Sequence, residues 1–125
     1  MTELRDIDPS SPFLAQLHGP DDGQPVVLIE PYVVPDGQTE EFLATWHQVT
    51  LFMKAQPGYV TGQLYRGTSG SHVLAHTAVW ENLGALQQAV TSEEFRKIVR
   101  RSPDGTVALP VIVRQAAVPG ICVGS

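Results

Sequence analysis

The pattern of apolar and polar positions predicts strands first. Residues 26–34, 59–66 and 72–80 are dense in β-branched and aromatic residues and are bounded by glycine or proline, as strands commonly are. The linker Gly67–Ser71 is short and rich in glycine, so the second and third of these runs are expected to pair as an antiparallel hairpin. Apolar residues also dominate 107–123, where interrupting prolines favour at least one edge strand.

Between these runs the apolar spacing changes to three and four residues, which predicts helices. Asp36 is the expected N-cap of the first helix, which must end before Pro57 because proline disfavours helical geometry in the residue preceding it. Residues 81–90 and 92–101 are predicted to be helical as well, with Ser92 as the cap of the later segment. The first helix carries its apolar residues on one face, namely Phe42, Trp46, Val49 and Met53.

The order of these elements is strand, helix, strand, strand, helix, strand. It predicts an α+β fold, a ferredoxin-like split βαβ arrangement in which helices cover one face of an antiparallel sheet. A second copy of the sheet is the simplest cover for the other face, so we expect a homodimer of the dimeric α+β barrel type. Turn-forming residues dominate 1–25, which we interpret as an N-terminal arm preceding a domain of residues 26–125.

Composition and charge restrict the partners. The chain has 125 residues, enough for one core, and its 42% of hydrophobic residues is typical of a globular domain. A formal net charge of −5 argues against nucleic acid, and the longest apolar run is too short to span a membrane. No apolar stretch of the signal-peptide kind opens the chain, so we expect a cytoplasmic location. One cysteine and four scattered histidines predict no bound metal.

Candidate chemistry concentrates on residues 72–80. Because side chains alternate faces along a strand, His76 and Trp80 share a face, and the small Ala78 between them leaves room for a flat organic molecule. Filling the core is the commoner role for such a pair, and that alternative stays open. Glu30 interrupts an apolar strand, where a carboxyl group must be paired, solvated at an edge or kept neutral by burial.

Two further candidates depend on which way an element faces. Along residues 59–66, Tyr59, Thr61, Gln63 and Tyr65 are expected to form one polar face, which either lines a cavity or meets solvent. Trp46 belongs to the apolar face of the first helix, so it is expected to pack in the core or against a ligand.

Four segments carry a family resemblance. Gln56–Tyr59, His76–Asn82 and Thr91–Phe95, preceded by Val34–Gly37, together resemble the antibiotic biosynthesis monooxygenase family over roughly residues 26–101. The resemblance implies a homodimer of ferredoxin-like subunits, each with a substrate pocket between its sheet and helices. It also implies oxidation of an anthrone-type aromatic polyketide to a quinone by molecular oxygen, in secondary metabolism, without a metal or a flavin.

The resemblance carries over residue by residue only in part. Trp80 matches a pocket tryptophan of the anthrone-oxidising members, and Arg96 falls near their helical arginine. His76 stands where they have an asparagine, and Leu86 where they have a tyrosine, and histidine is the better general base near neutral pH. We therefore predict His76 as the base and Trp80 as the pocket wall. Tyr65 is predicted as a polar contact together with Arg96, and the remaining predicted lining residues are Leu86, Glu30 and Trp46.

The haem-degrading branch of the same superfamily is not matched. Its asparagine, tryptophan and iron-ligand histidine fall on Glu30, Ala89 and Val99, so no haem or other cofactor is expected. The predicted function is cofactor-independent oxygenation of an aromatic, phenol- or anthrone-like substrate. Two alternatives stay open: a non-oxidative cyclase, isomerase or decarboxylase, and a non-catalytic small-molecule-binding protein.

Overall fold

The predicted succession of strands and helices is present in the computed structural model, which describes residues 1–124. The strands are β1 (Glu3–Leu4), β2 (Val26–Val33), β3 (Tyr59–Arg66), β4 (Val73–Trp80), β5 (Val107–Ala108) and β6 (Val111–Val113). The helices are α1 (Phe13–Leu17), α2 (Thr39–Lys54), α3 (Leu83–Val90) and α4 (Glu93–Arg100). From β2 onward this is the split βαβ order, so the predicted ferredoxin-like α+β fold is confirmed.

The strands form one sheet in the order β1-β5-β2-β4-β3, with β6 also paired to β2. The predicted hairpin of β3 and β4 is confirmed, and β2 pairs with β4 in the same antiparallel sense. Only β1 is parallel to its neighbour, β5, so the sheet is mixed rather than purely antiparallel. Within one subunit the sheet stays open, because β3 and β1 lie at opposite ends of the strand order.

Alternation along β2 and β4 separates a buried face from a less buried one. Leu74, His76, Ala78 and Trp80 are all buried, whereas the residues between them are half-buried. Their buried face contributes to two apolar clusters. The larger contains Leu17, Val26, Leu28, Met53, Ala78, Trp80, Leu83, Leu86 and Ala89, and the smaller contains Tyr32, Val34, Phe42, Leu74 and Ala108.

The start of α2 differs from the prediction. Asp36 is not its N-cap, because the helix begins at Thr39 and the preceding Gln38 caps no backbone N–H with its side chain. A turn explains the delay: the N–H of Gln38 donates to the carbonyl of Pro35 over 3.1 Å, and Gly37 adopts a φ of 78°. The predicted cap of α4 is confirmed, since Ser92 Oγ accepts from the N–H of Phe95 at 3.3 Å.

The N-terminal arm contains regular structure, which the prediction of an irregular arm missed. β1 extends the sheet through parallel pairing with β5, and α1 buries Leu17 in the larger apolar cluster. Both elements gain their stability from the domain beneath them, since a helix of five residues does not persist alone.

The chain beyond α4 contributes two short strands to the sheet. β5 and β6 both pair with β2, in agreement with the predicted edge strand. Past β6, the described residues contain only an isolated bridge between Val118 and Cys122. Across the described chain, none of the helices has the length and apolar character needed to cross a membrane.

Candidate functional site

A cavity of about 540 Å³ lies between the sheet and the helices. Its walls are largely apolar, and they come from the sheet, α1, α2, α3 and α4. The predicted apolar face of α2, which consists of Phe42, Trp46, Val49 and Met53, lines this cavity. Other lining residues include Leu4, Phe13, Leu14, Leu17, Glu30, Tyr32, Thr50, Tyr59, His76, Trp80, Leu86, Phe95 and Val99. A cavity of this size and polarity suits a small aromatic molecule.

Glu30 and His76 form the polar centre of the sheet wall. They are direct partners across β2 and β4. His76 Nδ1 lies 3.9 Å from Glu30 Oε1, too far for a hydrogen bond but close enough for strong attraction when the imidazole is protonated. His76 Nε2 is buried and has no hydrogen-bond partner among residues 1–124. Nε2 is therefore the nitrogen available to a ligand.

Tyr32 holds the carboxylate in place. Its hydroxyl donates to Glu30 Oε1 at 2.6 Å, and the two residues share a face of β2 because they are two positions apart. Burial, followed by the neighbouring negative charge of Glu30, raises the pKa of Tyr32 well above its ordinary value. Tyr32 therefore remains a protonated donor at neutral and mildly alkaline pH, and it fixes the carboxylate oxygen that faces His76.

Two tryptophans flank this centre. The Trp46 ring stands edge-on to the His76 ring, with 5.4 Å between centroids and planes at 86°, which restrains the imidazole. Trp80 is 1% exposed and lies in the larger apolar cluster. Trp46 Nε1, Trp80 Nε1 and Thr50 Oγ1 are buried without a partner within the described chain. Since an unpaired buried polar atom costs about 1–3 kcal/mol, a polar ligand that reaches these groups would be stabilised.

A bulge in β3 overturns the predicted polar face of that strand. The register with β4 shifts between Tyr59 and Thr61, so Tyr59 is opposite Trp80 and packs edge-on against it at 5.3 Å. From Thr61 onward the odd-numbered residues lie on the other face, and Tyr65 pairs with Ala75 and is 57% exposed. One extra residue in a strand reverses the side-chain alternation beyond it. Tyr59 therefore joins the cavity, and Tyr65 does not.

Arg96 also lies outside the cavity. Phe95 and Val99, four residues apart on α4, line the cavity, whereas Arg96 is exposed and does not. Leu86 is fully buried in the wall. The structure thus brings together Glu30, Trp46, His76, Trp80 and Leu86, and places the other two predicted contacts, Tyr65 and Arg96, at the surface of the subunit.

Several polar lining residues are absent from the predicted site, among them Tyr32 and Thr50, and Tyr59 is predicted only as part of a strand face whose orientation stayed open. Tyr32 carried a usable signal, because its spacing of two from Glu30 places both on one face of a strand. Thr50 carried a weaker signal: it follows Trp46 by four residues, which places both on one face of a helix. Among residues 1–124, no three His, Cys, Asp or Glu side chains gather in a way that could hold a metal ion.

Comparison with known proteins agrees with this architecture. The sequence model of the antibiotic biosynthesis monooxygenase family matches residues 25–101, which is more than half of the chain. The chain belongs to this family. No curated protein is significantly similar to it in sequence. The family match includes β2, α2, β3, β4, α3 and α4, the elements that carry most of the cavity wall, and it leaves β1 and α1 outside.

Several solved structures share the fold. SnoaB, a cofactor-independent oxygenase from Streptomyces nogalater, aligns over 78% of this chain and 98% of its own with a TM-score of 0.70 and 18% identity. A protein from Shewanella loihica PV-4, provisionally named a monooxygenase, aligns over 80% and 100% with a TM-score of 0.66 and 27% identity. Rv0793 from Mycobacterium tuberculosis aligns over 78% and 100% with a TM-score of 0.64 and 14% identity. These likenesses support the fold of the family member described above.

Proposed function

We propose that this chain is a cofactor-independent monooxygenase that oxidises an aromatic, polyketide-like phenol or anthrone with molecular oxygen in secondary metabolism. Membership of the monooxygenase family and the fold shared with SnoaB, a cofactor-independent oxygenase, support the reaction class. The observation that carries the proposal is the Glu30–His76 pair, a carboxylate and an imidazole held 3.9 Å apart on the wall of a cavity of about 540 Å³.

Proton removal is the step that the site supports most directly. A ligand with an acidic C–H between two aromatic rings would lie between the tryptophans, with that C–H at His76 Nε2. Transfer of the proton to Nε2 leaves an imidazolium, which the carboxylate of Glu30 stabilises across 3.9 Å in a poorly solvated site. Tyr32 keeps that carboxylate oriented through its 2.6 Å hydrogen bond. The organic product of the step is an electron-rich enolate.

The enolate supplies the electrons for the reaction with oxygen. One electron passes from the enolate carbon to O₂, and recombination of the two radicals forms a C–O bond and a peroxide anion. The imidazolium of His76 returns its proton to the terminal oxygen of the peroxide. Loss of the remaining C–H proton then breaks the O–O bond, so that anthrone and O₂ give anthraquinone and one water. The residues of the cavity bind the substrate, move the protons and exclude bulk water.

We also propose that the protein acts as a homodimer in the cytoplasm. The sheet face opposite the cavity carries partly exposed valines, among them the cross-strand partners Val33 and Val73, which are 43% and 38% exposed. A sheet face of this kind is commonly buried against another subunit, and a second copy of the same sheet would cover it.

A non-oxidative enzyme is the second candidate, because the Glu30–His76 pair serves any reaction that begins with enolisation. A cyclase, isomerase or decarboxylase would use the same proton transfer and consume no oxygen. The histidine itself favours this candidate, since the anthrone-oxidising relatives resembled by this chain have an asparagine at that place. The third possibility, a carrier without turnover, requires only the apolar walls.

The decisive experiment measures dissolved oxygen with purified protein, a chelator and dithranol, a hydroxylated anthrone. We expect uptake above the uncatalysed rate, one O₂ per quinone formed, and loss of the excess uptake in His76→Ala. Product formation under nitrogen at the same rate would establish the non-oxidative enzyme instead. Binding of dithranol without any product, detected by quenching of Trp46 and Trp80 fluorescence, would show that the protein is a carrier.

A further inference from the structure

The N-terminal arm forms one wall of the cavity although it lies outside the part of the chain that matches the family. The family match begins at residue 25, whereas Leu4 of β1 and Phe13, Leu14 and Leu17 of α1 all line the cavity. An addition to a shared fold that contacts the ligand space can alter which ligand enters without altering the chemistry. The arm is one of two parts of the cavity wall outside the family match, the other being the segment from Ser102 to Ala108, and it is the one that contributes large apolar side chains.

Specific hydrogen bonds fasten the arm at both ends. At β1, the N–H groups of Glu3 and Arg5 donate to the carbonyls of Thr106 and Ala108, each at 2.9 Å. At α1, Gln16 Oε1 accepts from the N–H of Ile112 at 2.8 Å. These contacts bridge positions about 100 residues apart in the sequence, so the arm is a built part of the tertiary structure rather than a loose extension.

Just after α1, two more contacts lock the arm to α3. The N–H of Gly84 donates to Asp21 Oδ2 at 2.9 Å, and His18 Nδ1 and Gln87 Nε2 are 2.7 Å apart. α1 is therefore held against β6 on one side and α3 on the other. Since a fixed wall selects ligands by shape more strictly than a mobile one, this double attachment matters for selectivity.

The arm presents apolar side chains at two depths. Leu17 is 3% exposed and belongs to the larger apolar cluster, and the partly buried Phe13 packs against that cluster. Leu4 and Leu14 line the same cavity but are 53% and 60% exposed, so they lie where the cavity meets solvent. Phe13 also lines the cavity and is less exposed than Leu4 and Leu14, so it lies inward from this mouth.

We propose that the arm determines the substrate size of this enzyme, with Phe13 as the residue that limits the length of a fused-ring ligand and Leu14 as the residue that narrows the mouth. The ligand class follows from the proposed function, on which this inference rests for its choice of probes. The size limit itself requires no turnover and is measurable by binding alone.

Phe13→Ala has a matched control in Phe52→Ala. Both phenylalanines are partly buried and pack against the same apolar cluster, but only Phe13 lines the cavity. The readout is intrinsic fluorescence, which reports on the cavity because the chain has two tryptophans and both line it. The probes are two non-reacting quinones, three-ring 1,8-dihydroxyanthraquinone and a four-ring naphthacenequinone, together with the neutral quencher acrylamide.

We expect Phe13→Ala to shift the ratio of the two dissociation constants about ten-fold in favour of the four-ring quinone, because removing the partly buried phenyl ring leaves room to bury more of the larger quinone. Acrylamide should quench the tryptophans of this variant more strongly than those of the wild type. Phe52→Ala should leave both readouts unchanged. An unchanged ratio in Phe13→Ala, or an equal shift in Phe52→Ala, would overturn the proposal.

A second pair of variants, at two exposed leucines, tests the proposal in case Phe13→Ala does not fold. Leu14 and Leu51 are exposed to 60% and 56% on α1 and α2, and only Leu14 lines the cavity. Leu14→Ala should raise acrylamide quenching and Leu51→Ala should not, and equal quenching in the two variants would count against the arm. If neither quinone bound to any variant, the proposed substrate class would fail, while the acrylamide comparison would still decide whether the arm closes the cavity.

Discussion

The two faces of the central sheet differ by one position along the same strands. Glu30 and His76 face the helices between two apolar clusters, whereas their neighbours Pro31 and Thr77 lie on the opposite, less buried face. The first face combines apolar walls with a few polar groups, as a ligand site does. The second carries exposed valines and few ionisable groups, as a subunit interface does. Strand alternation thus separates the candidate chemistry from the candidate assembly surface.

The largest contrast between the faces should come from removing the imidazole. His76→Ala is expected to lower turnover by about 10²–10⁴-fold, because it removes the proposed general base. Thr77→Ala, on the opposite face of the same strand, is the matched control and should leave turnover nearly unchanged. Steady-state oxygen uptake measures both, with far-ultraviolet circular dichroism to confirm folding. His76→Asn should lower turnover as much as His76→Ala does. Full activity of the asparagine variant would show that His76 is not the general base.

The second contrast concerns assembly. Val73→Asp places a charge on the sheet face opposite the cavity, where an apolar interface would have to bury it, so the proposed dimer should dissociate. Light scattering after size-exclusion chromatography should show the mass of the dimer for the wild type and that of a monomer for this variant. Leu51→Asp, at an exposed leucine on α2, should remain dimeric. A monomeric wild type would contradict the proposed assembly.

The third contrast tests how Tyr32 supports the cavity face. Tyr32→Phe removes the hydrogen bond to Glu30 and should lower the free energy of unfolding at pH 7 by about 1–3 kcal/mol. Above pH 10 the wild type should lose stability, because the unfolded phenol releases its proton while the raised pKa keeps the folded phenol protonated. The variant should lose less stability above pH 10. Burial also raises the pKa of Tyr59, so the variant should still lose some stability there. Urea unfolding from pH 7 to 11 measures this, and equal losses would contradict it.

The smallest effect separates the two tyrosines on either side of the bulge. Tyr65→Phe should change turnover by less than about two-fold, because its hydroxyl lies on the exposed face of β3. Tyr59→Phe alters a residue that packs on Trp80 in the cavity wall, so its effect should be the larger. Turnover and substrate affinity are compared for both variants. A greater loss in the Tyr65 variant would show that the outer face contributes to the site.

The sequence predicted the fold well where local patterns repeat. β2, β3 and β4 begin and end within a residue or so of their predicted limits, since β-branched runs bounded by glycine and proline mark strands strongly. Alternation along β4 placed His76 and Trp80 on one face correctly, and helical spacing placed Trp46 in the cavity wall. These inferences rest on periodicity alone, and periodicity is a local property of the chain.

Other features required contacts between distant parts of the chain. The bulge in β3 places Tyr59 on the cavity face and Tyr65 on the opposite face. It depends on the register between β3 and β4, and no single residue in β3 marks it. The delayed start of α2 reflects a turn at Pro35–Gln38 that competes with capping by Asp36. The regular structure in the arm forms because β5, β6 and α3 supply its partners.

Sequence alone therefore determined the element order from β2 onward, which residues of a regular strand share a face, and the residue types available for chemistry, because these follow from spacing and side-chain character. Tertiary structure decided which of those residues meet. It placed Glu30 opposite His76, added Tyr32 to the pair, excluded Arg96 from the cavity, and brought the arm into the cavity wall. Each of these outcomes depends on register or packing between segments distant in the chain, which a local pattern does not encode.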